Sequence, residues 1–360
     1  MAKTESISLD VGGTEVTVSN PGKVYFPQHG ETKLDLVEYY LAIGEPIMRT
    51  LGGRPLLLER YPDGAKGKSW FQKRVPASAP KWLQTAVLAT PNGTTSDALV
   101  AADMAHVVWA VNQGCLGFHV WPTHAATPEV TDELRIDLDP SPGVGLEQIR
   151  EVAHLVRAFL DELGIEVFIK TSGSRGFHLY VGLLPRWDGY EVRAAAVALA
   201  RELERRHPDL VTARWWKEER GPRVFIDFNQ NAPHKTVFGA WCVRPRVGGQ
   251  VSTPVDWDEV DSIDPDELTL STVPARVAER GDPWVGKPER PQDLEPLLER
   301  SRRDFADGLL DAPWPPVYPK QPHEPPRVNP SRKKSDLTHR SSPRSTVVSP
   351  TISGPPGGAR

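Results

Sequence analysis

The sequence predicts a mixed α/β fold of the α+β class, with helices flanking a central sheet. Three observations support this prediction. Short runs of alternating apolar residues, such as residues 133–139, are typical of strands. Longer runs with helical periodicity, such as residues 145–164 and 189–208, lie between them. Because the two kinds of run mix along the chain, one sheet with helices packed on it is favoured.

The first part of the chain begins with a predicted hairpin. Residues 7–19 alternate on both sides of a Gly-Gly turn. Residues 32–51 have helical periodicity, and Thr32 is suited to cap that helix. The following elements are predicted, in order, as a buried strand at 54–62, a helix at 96–114 and a strand at 115–122.

The strand at 133–139 comes next and ends at Pro140. An amphipathic helix follows and ends at Gly164, a residue common at helix C-termini. The later elements are predicted, in order, as two strands around a Gly/Ser turn within 165–184, a helix at 189–208, a strand at 223–231, and short helices and loops over 256–311.

The composition changes at residue 313. From there Pro, Ser and Arg dominate and the apolar periodicity disappears. Such a segment buries too little apolar surface to offset its chain entropy. The sequence therefore predicts a folded domain at 1–312 and a disordered tail at 313–360.

Composition limits the class of protein and its location. The 360 residues carry a net charge of −4, and the chain excluding its basic last 41 residues is more acidic still. A surface that binds polyanions must therefore be local. Cys115 and Cys242 are the only cysteines and lack metal-ligand spacing, so neither zinc nor a disulfide framework is expected. Without a secretory signal pattern or a long apolar run, the sequence predicts a cytoplasmic protein that is not inserted in a membrane.

Asp137 and Asp139 are the first candidates for chemistry. Residues i and i+2 of a strand share one face, so these two like charges lie side by side and repel. Together with Asp227, near the end of another predicted strand, they would form an oxygen site suited to Mg²⁺ or Mn²⁺. The alternative is a solvated strand end, because D-x-D alone is a weak pattern and spacing does not fix the position of Asp227.

Two further stretches suit nucleic acids and nucleotides. The Ser-Gly-Ser-Arg-Gly turn within residues 170–181 offers amides, hydroxyls and a guanidinium to phosphate, although an ordinary hairpin is the alternative. His178 follows that turn, and His119, like it, could be a hydrogen-bonded core histidine. Residues 60–82 interleave basic and aromatic side chains that could bind phosphates and stack on bases, or could form a solvated loop anchored by its aromatics.

Taken together, these segments resemble the polymerase domain of bacterial ligase D, in the archaeo-eukaryotic primase superfamily. The resemblance runs in order over about residues 16–300, through SNPGKVYFP, TKLDLVEYY, WFQKRVP, GFHVWP, RIDLDPSPG, TSGSRGFHLY, VFIDFNQN and CVRPR. It implies a primase-polymerase fold whose central sheet bears the catalytic carboxylates. Since the chain has no room for the ligase or nuclease of familiar relatives, it looks like a stand-alone primase-polymerase.

The resemblance also implies roles for individual residues. Two divalent ions, Mn²⁺ or Mg²⁺, would be held by Asp137, Asp139 and Asp227. The nucleotide would be contacted by His119, Ser172, Arg175, His178 and Arg244, with Lys170 beside the same turn. The 5′-phosphate across a DNA gap would be bound by Asn20, Lys23 and Lys33. The template would stack on Trp70 and Phe71, where Trp70 is larger than the aromatic residue expected there.

The implied function is template-directed nucleotidyl transfer that fills short gaps or extends ends in DNA repair, with a preference for ribonucleotides. The expected partners are gapped or broken DNA, nucleoside triphosphates, and a separate DNA ligase and Ku, and the expected location is the nucleoid. Two alternatives use the same features: a metal-dependent nuclease, and a non-catalytic module that bridges DNA ends. The phosphate turn and Arg244 disfavour the nuclease, and the complete carboxylate set disfavours the inactive module.

Overall fold

A computed structural model describes residues 5–90 and 93–327 of the chain. In the first part of the chain the strands are β1 (Ser6–Val11), β2 (Thr14–Ser19), β3 (Val24–Phe26), β4 (Glu31–Thr32), β5 (Pro55–Arg60), β6 (Trp70–Gln72), β7 (Thr85–Ala89), β8 (Thr95–Val100) and β9 (Cys115–Val120). The helices of this part are α1 (Lys33–Ala42), α2 (Gly44–Leu51) and α3 (Met104–Asn112).

The second part of the chain continues with the strands β10 (Thr131–Pro140), β11 (Phe168–Thr171), β12 (Phe177–Trp187), β13 (Val211–Thr212), β14 (Val224–Ile226), β15 (Val237–Phe238) and β16 (Pro254–Val255). Its α-helices are α4 (Leu146–Asp161), α5 (Gly189–Arg206), α6 (Val273–Arg280) and α7 (Glu295–Ala306). Short 3₁₀ helices span Lys217–Glu219, Phe228–Asn231 and Trp257–Glu259.

Two six-stranded sheets form the centre of the described part. We call the first the carboxylate sheet; its strand order is β13-β14-β10-β12-β11-β16. The second, the aromatic sheet, has the order β15-β9-β5-β8-β7, with β6 paired to β5. Helices α4 and α5 pack against β10, and both sheets contribute to one large buried apolar cluster, while Leu88 and Ala98 of the aromatic sheet belong to a smaller one. The predicted mixed α/β class is therefore confirmed, with two central sheets where the sequence predicted one.

Most elements form where the sequence predicts them, and one differs. Thr32 caps α1 as expected, because its side chain and that of Asp35 each accept an N–H from the other's backbone. The helix predicted at 96–114 is wrong in its first half, which is strand β8. Alternating burial from Ser96 to Ala98 suits the antiparallel pairing of β8 with β7. Asp103 then accepts the backbone N–H of His106 and starts α3.

The compact unit extends to Arg327, beyond the boundary predicted at residue 313. Trp314 and Tyr318 are only 3% and 4% exposed and form a small apolar cluster with Ala232. These aromatic side chains supply the buried apolar surface that the Pro-rich composition concealed. The rest of the predicted tail, 328–360, lies outside the described residues.

Over the described ranges, none of the helices combines the length and apolar character that a bilayer span requires.

Candidate active site

The carboxylate sheet brings the three candidate aspartates together. Asp137 and Asp139 lie on β10, and Asp227 directly follows β14, the neighbouring strand. The pairing of Leu138 with Ile226 fixes the register, and the backbone N–H of Asp227 donates to the Asp137 carbonyl at 3.0 Å. Asp227 therefore emerges next to the shared face of the other two carboxylates.

The 3₁₀ helix Phe228–Asn231 orients the Asp227 carboxylate. Oδ1 accepts a hydrogen bond from the backbone N–H of Asn229 at 3.0 Å, and Oδ2 accepts one from Nε2 of Gln230 at 2.9 Å. Asn231 anchors this helix to β10, because its side chain exchanges hydrogen bonds with the backbone N–H and carbonyl of Arg135 at 2.8 and 2.7 Å. Sequence reasoning missed these amide residues, although their run directly after a strand-end carboxylate was the available signal.

The crowding of negative charge changes the protonation of the site. Burial, with repulsion from Asp227 and Asp139, raises the pKa of Asp137 to about 7. Burial also raises the pKa of Asp227. A cation among these oxygens would relieve the repulsion, and a set of carboxylates suits hard ions such as Mg²⁺ and Mn²⁺.

A second acidic group lies apart from this site. Within the described ranges, Asp256, Asp258 and Glu259 form the one set of three candidate ligands whose ligand atoms all lie within 4.8 Å of each other. The Glu259 carboxylate is already paired with Arg276 and Arg280. The ligand atoms of the three aspartates at β10 and β14 do not all lie within that distance of one another, and Asp137 and Asp139 each face a basic side chain.

His178 and Arg220 are the basic side chains at the edge of the carboxylate site. Nε2 of His178 lies 3.4 Å from Oδ1 of Asp137, its cross-strand partner. Nη1 of Arg220 lies 3.3 Å from Oδ2 of Asp139, and its guanidinium is 3.7 Å from the ring centre of Phe225. Arg220 was missed from sequence, where it belongs to a basic and aromatic stretch diluted by glutamates.

His178 contacts a buried lysine, and its pKa is lowered first by burial and then by that lysine. Nζ of Lys170 lies 3.0 Å from Nδ1 of His178, and both side chains are buried. Burial and Lys170 lower the pKa of His178 well below its usual value, while burial and Arg244 lower that of Lys170. Of the two ring nitrogens of His178, Nδ1 faces Lys170 and Nε2 faces Asp137.

The Gly/Ser turn between β11 and β12 is closed by its own hydroxyl. Oγ of Ser172 accepts the backbone N–H groups of Ser174 and Gly176 at 3.1 and 3.2 Å. Nε of Arg244 donates to the Ser172 carbonyl at 2.7 Å. Arg175 is exposed on the outer side of the turn, where it borders a cavity of about 310 Å³. The positive charge of Arg244 partly offsets the raised pKa of Asp137, so the turn and Arg244 form a cationic rim beside the carboxylates.

The aromatic sheet contributes the opposite side of this region. Nε2 of His119 lies 3.3 Å from Oε2 of Glu59, and its ring meets Phe71 and Phe238 edge-on at 5.4 Å. Burial favours a raised pKa for Glu59, but hydrogen bonds from His119 and Tyr61 bring it below its usual value. Arg244 lies 3.7 Å from the Phe238 ring centre, so this guanidinium touches both sheets. Glu59 was missed, although a charged residue in an apolar strand was its signal.

Trp70 and Phe71 form an exposed aromatic surface on β6. They are 47% and 52% exposed, and the Arg60 guanidinium lies 5.1 Å from the Trp70 ring. Together with Lys73, Arg74 and other residues they line a cavity of about 620 Å³, which Val317 also borders. Exposed aromatics beside basic groups can stack on unpaired bases.

The structure also brings together Asn20, Lys23 and Lys33 at the start of α1. The Lys23 N–H donates to the Asn20 carbonyl at 3.0 Å, and the Lys33 N–H donates to the Lys23 carbonyl at 2.8 Å. Asn20 is exposed, whereas Nζ of Lys23 contacts Asp63 at 2.8 Å. Lys33 is only 4% exposed and donates to the Ser19 carbonyl at 2.6 Å. Burial, with Lys23, lowers the pKa of Lys33 to about 8.

Comparison with known proteins places this arrangement in a family. Residues 32–284 match the model of the LigD primase-polymerase domain. The multifunctional non-homologous end joining protein LigD of Mycolicibacterium smegmatis is 34% identical over 269 residues, which cover 74% of this chain and 35% of the relative. The bifunctional non-homologous end joining protein LigD of Bacillus subtilis is 30% identical over 277 residues, covering 76% of this chain and 44% of the relative.

A solved structure supports the same assignment. The polymerase domain of Mycobacterium tuberculosis ligase D in complex with DNA superposes with a TM-score of 0.70 at 32% identity, over 77% of this chain and 99% of that one. The chain spans about a third of the length of the mycobacterial relatives. The match therefore concerns their polymerase portion, and the chain belongs to the LigD primase-polymerase domain family, a family of nucleotidyltransferase domains.

Proposed function

We propose that this chain is a template-directed nucleotidyl transferase that fills short gaps or extends ends in DNA repair. The observation that carries the proposal is the convergence of Asp137, Asp139 and Asp227 on one face, next to the Gly/Ser turn between β11 and β12. Two divalent ions, Mn²⁺ or Mg²⁺, would be held by these carboxylates. Such ions activate an attacking hydroxyl and stabilise a leaving phosphate oxygen.

The triphosphate is proposed to bind at the rim formed by the turn and Arg244. Guanidinium groups bind phosphate oxygens through paired, charge-assisted hydrogen bonds. Arg244 is preorganised by its bond to the Ser172 carbonyl and by the ring of Phe238. His178, whose lowered pKa favours the neutral imidazole, is proposed to contact the phosphates without adding a positive charge. His119 and Arg175 are proposed to contact the nucleotide from the two sides of the same region.

DNA is proposed to bind along two surfaces. The exposed rings of Trp70 and Phe71 offer stacking platforms for template bases, and Lys73 and Arg74 offer charge for the backbone. Lys23 and Asn20 are proposed to bind the 5′-phosphate across a gap, with Lys33 supporting their loop from below. The relatives are named for non-homologous end joining, so a separate DNA ligase and Ku are the proposed partners of this chain.

The proposal is tested on a primed DNA with a short gap and a downstream 5′-phosphate, incubated with Mn²⁺ and labelled nucleotides. Asp137→Ala and Asp227→Ala should abolish extension while DNA affinity stays within about twofold, because carboxylates hold metal and basic residues hold phosphate. Asp256→Ala is the matched control, since it removes a carboxylate from the other acidic group.

The possible results distinguish the polymerase from the nuclease and from the end-bridging module. Extension by the wild type and by Asp256→Ala, with none by the other two variants, supports the polymerase. Shortening of the primer would replace it with the nuclease. A gel shift without any extension would replace it with the end-bridging module.

We also propose that the sugar is selected at the 2′-hydroxyl, in favour of ribonucleotides. A site that hydrogen-bonds this hydroxyl penalises the analogue that lacks it, because its own polar atoms are left unpaired. The Ser172 hydroxyl accepts two N–H groups and retains its own proton to donate. The kcat/KM for a ribonucleotide should exceed that for its deoxy counterpart, and Ser172→Ala should narrow the ratio. Equal use of both sugars by the wild type would refute selection but not polymerisation.

A further inference from the structure

The chain after α7 forms a closed segment, residues 311–327, which we call the C-terminal segment. It lies beyond the family match, which ends at residue 284. Glu324 holds it together by accepting the backbone N–H groups of Trp314 and Gln321, each at 3.0 Å, and by pairing with Arg327. The Asp311 N–H donates to the His323 carbonyl at 2.9 Å. The segment therefore has a defined shape of its own.

The C-terminal segment is fastened to the domain by a buried arginine of α5. Arg193 is 1% exposed and donates to the carbonyls of Ala312 and Pro313 at 2.9 and 3.1 Å. It also pairs with Asp311 at 3.1 Å, and the Trp314 ring centre lies 3.9 Å from its guanidinium. A buried guanidinium needs partners for all its N–H groups, so removing the segment leaves this charge mostly unpaired.

Arg193 also reaches toward the carboxylate site. Its Nε donates to Oδ1 of Asn229 at 2.7 Å, while Nδ2 of Asn229 donates to the Pro313 carbonyl at 3.3 Å. The backbone N–H of the same Asn229 holds Oδ1 of Asp227 at 3.0 Å. One residue thus connects the segment, the buried arginine and the candidate metal ligand. Both polar atoms of the Asn229 side chain therefore bond either to Arg193 or to the C-terminal segment.

We infer that the C-terminal segment and Arg193 position Asp227 for metal binding. This inference rests on the proposed function, in which Asp227 holds a catalytic metal ion. The segment clamps Asn229, and Asn229 in turn fixes the Asp227 carboxylate. Loosening the clamp allows the carboxylate to rotate away from the other two, so the metal binds more weakly and turnover falls. Arg193 and Trp314 touch no substrate and are positioning residues.

The test compares point variants and two truncations of the chain. Trp314→Ala removes the ring from Arg193, and Trp314→Phe keeps a ring there. Arg150→Met is the matched control, because Arg150 is another buried arginine that donates to loop carbonyls, those of Val260 and Ile263, at 2.8 and 2.7 Å. Deletion of 311–360 is compared with deletion of 328–360. The readouts are Mn²⁺ affinity by calorimetry, kcat and KM on gapped DNA, DNA affinity and the melting temperature.

Trp314→Ala should weaken Mn²⁺ binding and lower kcat by roughly 10- to 100-fold, the range typical of residues that orient a metal ligand. The KM for gapped DNA should stay within about twofold. Trp314→Phe should restore most of the loss, and deletion of 328–360 should behave as the wild type. Deletion of 311–360 should show at least the Trp314→Ala defect, and a soluble Trp314→Ala protein keeps the test valid if that truncation does not fold.

Arg150→Met should lower the melting temperature without changing Mn²⁺ affinity. If Trp314→Ala does the same, the segment is only structural and the inference is overturned. The proposed function fails separately: it fails if the wild type does not extend primers, or if Asp227→Ala keeps wild-type extension and Mn²⁺ affinity.

Discussion

Gly173→Ala should weaken the proposed nucleotide binding by distorting the Gly/Ser turn between β11 and β12. Gly173 has φ +67°, a left-handed conformation that costs an L-residue roughly 1–2 kcal/mol. An alanine Cβ there would lie 2.8 Å from Cγ of Arg244 and 3.0 Å from the backbone N of Ser252. Neither atom is the end of a flexible side chain, so Arg244 or the turn must shift.

A shift at this position threatens the 2.7 Å bond from Arg244 to the Ser172 carbonyl. Moving Arg244 would weaken its proposed hydrogen bond to the phosphate, and a hydrogen bond to a charged group contributes about 1.5–3 kcal/mol, or roughly 10- to 150-fold in affinity. The KM for the incoming nucleotide should therefore rise by about that factor in steady-state gap filling, with DNA affinity unchanged. Total stability should fall as well, by the conformational cost plus the crowding.

Gly164→Ala is the matched control for this prediction. Gly164 also has φ +67°, but a Cβ there meets nothing within 4 Å. Its variant should lose about 1–2 kcal/mol of stability and keep the wild-type KM for nucleotides. If the two variants lose equal stability and keep equal KM values, the crowding at the turn has no effect on nucleotide binding and the reasoning is refuted.

Three further predictions concern metal, DNA and template. Because the pKa of Asp137 is raised to about 7, a proton competes with the metal below that pH. Mn²⁺ affinity measured by calorimetry should then fall by up to about tenfold per pH unit from 7 downward and level off above pH 7. If the Mn²⁺ affinity of Asp137→Asn depends equally steeply on pH, Asp137 is not the cause. Lys23→Ala should weaken binding to gaps with a 5′-phosphate by roughly tenfold and to unphosphorylated gaps by much less. Asp63→Ala, which frees Lys23 from its ion pair, should strengthen binding to the phosphorylated gap. If Lys23→Ala loses equal affinity for both gaps, Lys23 does not bind the 5′-phosphate. Phe71→Ala should weaken binding to single-stranded template by about 1–3 kcal/mol, measured by fluorescence anisotropy. Val87 of β7 is also exposed, so Val87→Ala is the control. An unchanged affinity in Phe71→Ala would refute stacking of the template on this surface.

Local sequence patterns predicted the elements whose periodicity is strong. The alternation around Asp137 and Asp139 predicted β10, and amphipathic periodicity predicted α4 and α5. The segment 96–114 was harder, because short runs of Ala and Val fit a buried strand as well as a helix. Only the pairing with β7, a contact of the folded state, decides that Thr95–Val100 is a strand.

The candidate site was predictable only in part for the same reason. The aspartates, the turn and the aromatic pair each lie in a short recognisable motif. Glu59 and Arg193 act through partners 60 or more positions away, namely His119 and the C-terminal segment. Composition also misled at 313–327, where Trp314 and Tyr318 outweigh the prolines around them. Long-range contacts of this kind leave no periodic signal in the chain.

The double contact of Arg244 has a consequence for reading genetic data on this protein. Its guanidinium rests on Phe238 of the aromatic sheet and donates to the carbonyl of Ser172, in the turn between two strands of the carboxylate sheet. A substitution at Phe238 would change none of the polar side chains of the site and would still move the guanidinium that we propose binds the nucleotide phosphates. Such an allele would be scored as a nucleotide-binding mutant, although the altered side chain is a hydrocarbon. Maps of function drawn from mutant phenotypes will therefore extend into the apolar seam between the sheets.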